Sequence, residues 1–103
     1  MTASVVEVVA TTVAGLATAN LTITTSLVPG DMVVVVCGRR NSTSLMTVGG
    51  LGGATWTSAF LQYVGSRGAQ VDYATGVTGT GTITVQNTGG TAERAVALVL
   101  HGL

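Results

Sequence analysis

Along most of this chain, apolar and polar residues alternate with a period of two, the pattern of strands that bury one face. Between Thr18 and Val28, Leu21, Ile23, Thr25 and Leu27 fall on one face and Thr22, Thr24 and Ser26 on the other. Thr82 to Asn87 repeats this, with Ile83 and Val85 predicted to point inward. From Ala54 to Val64, Trp56, Ser58, Phe60, Gln62 and Val64 oppose Thr57, Ala59, Leu61 and Tyr63, and core positions are assigned to Trp56 and Phe60. From Ala69 to Val77, Val71, Tyr73 and Thr75 share a face. Residues Glu93 to Leu103 are predicted to close the chain with Val96, Leu98 and Leu100 on the core face. Ser4 to Val13, rich in Val and Thr, and a short stretch from Ser44 to Val48 complete the set.

One stretch does not alternate. Val28-Pro29-Gly30-Asp31 forms a turn signal, and Met32-Val33-Val34-Val35-Val36-Cys37 follows as an unbroken apolar run up to Gly38. β-Branched side chains disfavour a helix and pack well on a pleated sheet. Continuous hydrophobicity predicts a strand covered on both sides. Gly49 to Gly53, Gly65 to Gly68, Thr78 to Gly81 and Thr88 to Thr91 supply turn chemistry at regular intervals. About eight short strands so spaced predict an all-β chain: a single-domain, antiparallel β-sandwich over 1–103, jelly-roll-like. Residues 1–9 read as an N-terminal arm or an edge strand.

Composition sharpens this picture. Only 8% of the 103 residues are charged, against roughly 25% in a typical soluble domain. Arg39, Arg40, Arg67 and Arg94 balance Glu7, Asp31, Asp72 and Glu93, so the net charge is zero. Nucleic acid as a partner is disfavoured, because it calls for a basic footprint. No apolar run approaches the ~20 residues that span a bilayer as a helix, and no cation precedes Arg39 to open a secretory signal. The expectation is a protein made in the cytoplasm, with no membrane partner. A surface so weakly charged resists self-association poorly, which suggests that much of it is covered in an assembly.

Candidate chemistry is sparse. The single cysteine, Cys37, lies inside the apolar strand and reads as a core residue. The one histidine, His101, has no Gly-x-Ser-x-Gly nucleophile turn to serve, and one His with one Cys cannot close a zinc site. The carboxylates are scattered singly, so neither a glycosidase pair nor a calcium loop is indicated. The glycine loop from Gly49 to Gly53 lacks the Lys-Ser/Thr of a phosphate loop. The reading is therefore a non-enzyme with no cofactor and no metal. Two features remain for binding: Arg39-Arg40, which suits acidic groups on a partner, and Trp56, Tyr63 and Tyr73, which suit a sugar platform.

Three stretches carry a family resemblance: Val28-Pro29-Gly30-Asp31 leading into the aliphatic strand, Gly53-Ala54-Thr55-Trp56-Thr57, and the closing strand ending in His101-Gly102-Leu103. In these the chain resembles small β-sandwich proteins of bacteriophage virions, among them capsid decoration (cement) proteins. That family usually reads Gly-Trp-Thr at the second stretch, whereas here Ala54-Thr55 intervene. The resemblance implies a structural protein on the outer capsid surface that strengthens contacts between capsomers. Its partners would be the major capsid protein and further copies of itself, a trimer being favoured. The interface residues expected are Thr2, Ala3, Ser4, Val5, Val6, Arg39, Arg40 and Arg67. The alternative is a phage tail, fibre or bacterial surface module that binds host glycan or receptor.

Overall fold

The computed structural model describes residues 4–10, 18–40, 46–65, 67–87 and 91–102; at 39, 40 and 91–93 the description stops at the backbone. Eight strands follow in chain order. They are β1 (Ser4–Ala10), β2 (Thr18–Leu27), β3 (Met32–Arg40), β4 (Thr47–Gly50), β5 (Thr57–Val64), β6 (Arg67–Thr75), β7 (Gly79–Gln86) and β8 (Thr91–His101). They build two antiparallel sheets, one in the order β1-β8-β3-β6-β5 and one in the order β2-β7-β4.

The pairs β1–β8, β2–β7 and β3–β6 are rungs of one long antiparallel ribbon, each strand matched with its mirror position in the chain. Wound over itself, such a ribbon gives the jelly-roll sandwich. The remaining rung would be β4–β5. Instead β5 stays in a tight hairpin on β6, with Val64 opposite Arg67, so the sheets hold five and three strands.

The core lies where the small sheet covers the middle of the large one. Leu21, Ile23 and Leu27 from β2 and Ile83 and Val85 from β7 meet Val33, Val35 and Cys37 from β3. Here the alternation predicted for β2 and β7 is observed. In β3 the outcome differs from the expectation of cover on both sides. Val35 is fully buried while its neighbour Val36 is 41% exposed, because the small sheet lies against one side only. In β8 the predicted parity is inverted: Ala95, Ala97 and Val99 face the core, and Val96, Leu98 and Leu100 face out. β8 packs across the interior against β2, and in the roughly 10 Å between stacked sheets alanines leave room for the leucines and isoleucine opposite.

β5 begins at Thr57 and carries a β-bulge between Ser58 and Phe60. The extra residue, Ala59, reverses the facing of everything after it. Trp56 therefore packs against the core as expected, but Phe60 turns out to 50% exposure and Tyr63 turns in. Tyr63 lies over its cross-strand partner Gly68, where an ideal Cβ would sit 2.0 Å from the Tyr63 ring. The glycine there makes room for an aromatic ring. The glycine loop at 49–53 contains a buried residue, Leu51, in a left-handed conformation (φ 61°) whose N–H donates to Thr82 O at 3.0 Å. The strand ends predicted at Val13 and Ser44, and the breaks at Ala14–Ala17 and Thr88–Gly90, lie outside the described residues.

Alternation in β3 sets the cost of truncation. Val35→Ala is expected to lose about 2 kcal/mol of stability through the cavity it leaves, and Val36→Ala to stay within about 0.5 kcal/mol. Urea unfolding of the two variants, at dilutions where copies of the chain stay apart, measures the difference; equal losses would contradict the one-sided burial.

Candidate functional site

Strand register places three rows of outward side chains across the large sheet. The first is Val5, Leu100, Met32 and Thr75; the second is Val8, Leu98, Val34, Tyr73 and Thr57; the third is Ala10, Val96, Val36, Val71 and Phe60. None of these fourteen positions is charged, and only Thr75, Tyr73 and Thr57, toward the β5 side, carry hydroxyls. Val5, Val8, Val36 and Phe60 are each more than two-fifths exposed. The next row begins at Arg94, which bounds the face at one end. Apolar patches of this extent on a monomer mark interaction sites.

The residues expected at an interface do not converge. Thr2 and Ala3 lie outside the described residues. Ser4, Val5 and Val6 are exposed on β1, at the edge of the large sheet and level with Met32 and His101. Arg39 and Arg40 end β3, and the exposed Arg67 begins β6. Met32 and Arg39 are seven residues apart, so the arginine end lies about 23 Å from the Ser4 end. The outward residues of β3 and β8 escape the sequence reading, although the unbroken valine run is their signal: a strand apolar on both faces, with one face left open.

Polar side chains fasten the two sheets at three places around the core. At the β1 edge, Glu7 reaches across to β2 and accepts hydrogen bonds from Thr25 N–H at 2.8 Å, Thr24 N–H at 3.1 Å and Thr24 Oγ1 at 2.7 Å. Those bonds, from Thr25 and then Thr24, outweigh partial burial and hold the Glu7 pKa down to about 2.

At the opposite side, where β4 and β5 do not pair, a network centred on the buried Gln70 and Asp72 spans the gap. Tyr63 donates its hydroxyl to Gln70 Oε1; Gln70 Nε2 donates to Met46 O at 3.2 Å and to the Asp72 carboxylate at 3.0 Å; Ser58 Oγ donates to Asp72 at 2.9 Å. At one end, Asp31 closes the Pro-Gly turn by accepting the Val28 N–H at 3.0 Å, while its other oxygen lies 2.5 Å from His101 Nδ1. The Val28 N–H, and after it His101, lowers the Asp31 pKa from its ordinary value.

The chemistry these groups offer is fastening. Cys37 is buried, and desolvation, reinforced by the Asp72 charge, pushes its thiol up to about 12, far from a nucleophilic thiolate. Asp31 and His101 form the acid–base half of a triad, but among the described contacts neither meets a serine or cysteine. No group of three His, Cys, Asp or Glu able to hold a metal ion occurs among the described residues. A hollow of about 330 Å³ between segments 51–55 and 75–78 is lined by Leu, Gly, Ala, Val and Thr with no charged group. Of the three aromatics suited to sugar, Trp56 packs against the core and Tyr63 is bonded inward, leaving Tyr73 alone on the outer face.

No family model, no curated protein and no solved structure matches the chain.

The Glu7 clasp has a pH signature. Its folded pKa, about 2, lies below the ordinary 4.5, so the carboxylate adds stability above pH 4.5 that fades as the pH falls toward 2. Glu7→Gln is expected to cost about 1–2 kcal/mol at pH 7 and to make the unfolding midpoint less sensitive to acid over that window. A variant profile as steep as the parent's would contradict the clasp.

Proposed function

We propose that the protein is a structural, adhesive component of an assembly: a bacteriophage capsid decoration protein that binds the outer shell and strengthens contacts between capsomers. It works without catalysis, cofactor or metal, and its partners are the major capsid protein and further copies of itself. The observation that carries this reading is the open face of the large sheet, three rows of side chains without a charge. A face of that kind marks a surface that a partner covers. The family resemblance in Val28–Asp31, Gly53–Thr57 and His101–Leu103 supplies the phage setting. The Asp31–His101 contact joins the first and last of those stretches in one fastening.

Two features agree with a passive part that resists force. The sandwich is fastened at two edges and one end by polar bridges as well as by its core. Glu7, Asp31, Asp72 and His101 are engaged in those bridges, and Cys37 is buried.

Co-sedimentation with empty capsids tests the proposal. The protein is expected to pellet with shells up to a saturating ratio and to raise the temperature at which they come apart. Protein that stays in the supernatant, or that is retained on host glycans and released by Tyr73→Ala, would overturn it.

A further inference from the structure

We propose that the open face of the large sheet is the seat of a second copy of this chain, giving a twofold dimer in which the two five-stranded sheets lie face to face. This rests on the reading that the chain works in a covered state, and is independent of the capsid as its place of work.

Size comes first. Five strands spaced ~4.8 Å apart and three rows of residues ~6.7 Å apart give a projected footprint of about 24 by 20 Å. Side chains standing off a pleated surface expose more than its projection, so two such faces together bury on the order of 1,000 Å². That meets the threshold for a specific interface. Stacked at about 10 Å, with strand directions within about 30° of one another, the pair makes four layers of three, five, five and three strands.

Chemistry then selects the occupant. A foreign protein partner is commonly chosen by complementary charge, and this face has none to offer. A twofold contact imposes the reverse condition, because the same patch meets itself and any charge near the axis meets its own copy. Leu98, Val34 and Val36, on the inner strands of the face, satisfy that condition, while Arg94 stands at its border. Tyr73 and Phe60 lie toward the β5 side and supply the aromatic area that anchors interfaces. Self-pairing also leaves the small sheet's outer face, with Thr22 and Thr82, free for other contacts.

Sedimentation equilibrium on the purified protein, without capsids, tests this. The expected mass is 20.4 kDa, twice the 10.2 kDa chain. Val36→Glu places a carboxylate on each side of the contact and is expected to raise the dissociation constant at least tenfold, with the β-sheet circular dichroism unchanged. Should that variant fail to fold, Val8→Glu on the exposed edge strand is expected to give the same weakening. Thr22→Glu, on the small sheet, is expected to leave the mass at 20.4 kDa.

A 10.2 kDa mass at about 0.1 mM would overturn the dimer. So would an oligomer that both face variants leave intact, which would point to pairing along the β1 or β5 edge. A free monomer that binds capsids and loses them on Val36→Glu would show the shell itself to be the cover. A face-dependent dimer that ignores capsids would support the dimer and remove the capsid reading.

Discussion

Backbone pairing of β3 with β8 on one side and β6 on the other fixes where every side chain of the large sheet can go. Because facing has a period of two, Val33, Val35 and Cys37 have to enter the core together, and Val34 and Val36 have to leave it together. The ladder carries the same parity to both neighbours: Ala95, Ala97 and Val99 go in with the first set, Val96 and Leu98 go out with the second. A three-stranded sheet covers the inner set. Among the described residues no strand covers the outer set, and the open apolar face follows from pairing and strand number.

The same shortage of strands explains where the polar residues went. Had β5 crossed to β4, backbone hydrogen bonds would have closed that side of the sandwich. With β5 kept on β6, the Tyr63–Gln70–Asp72–Ser58 network does the closing with side chains, tied to the backbone at Met46. Polar networks with buried members hold a structure in one arrangement only when those members are satisfied, and here the buried Gln70 and Asp72, like Tyr63 and Ser58, each have a partner. Glu7 does the equivalent work at the β1 edge with one residue, accepting from two successive backbone amides. A protein with four acidic side chains uses three of them, Glu7, Asp31 and Asp72, as internal fasteners.

How much of this the chain discloses depends on contrast between its two faces. In β2 and β7 threonines alternate with Leu, Ile and Val, so both the strands and their buried faces are legible. The Pro-Gly turn with Asp31 and the tight hairpin before Arg67 are legible from turn chemistry. In β8 both faces are apolar; reading the larger residues as inner reverses the strand, since alanines fit the narrow space against β2. Phe60 is misplaced for another reason: Ala59 gives no local sign that it will bulge, and one extra residue flips all that follow. The Asp31–His101 contact, 70 residues apart, and the Glu7 clasp depend on how the ribbon winds. The interface expected at Ser4–Val6 and at Arg39, Arg40 and Arg67 rests on edge position and charge; of these residues Val5 belongs to the open face, whose other positions look like core.

On the proposed reading, the open apolar face of the large sheet is a surface made for contact. The most direct measurement is isotope-filtered NMR on a mixture of labelled and unlabelled chains, which registers only proximities between copies. The account predicts intermolecular contacts among the methyl groups of Val34, Val36 and Leu98. Their absence, or contacts confined to the backbone of β1, would contradict it.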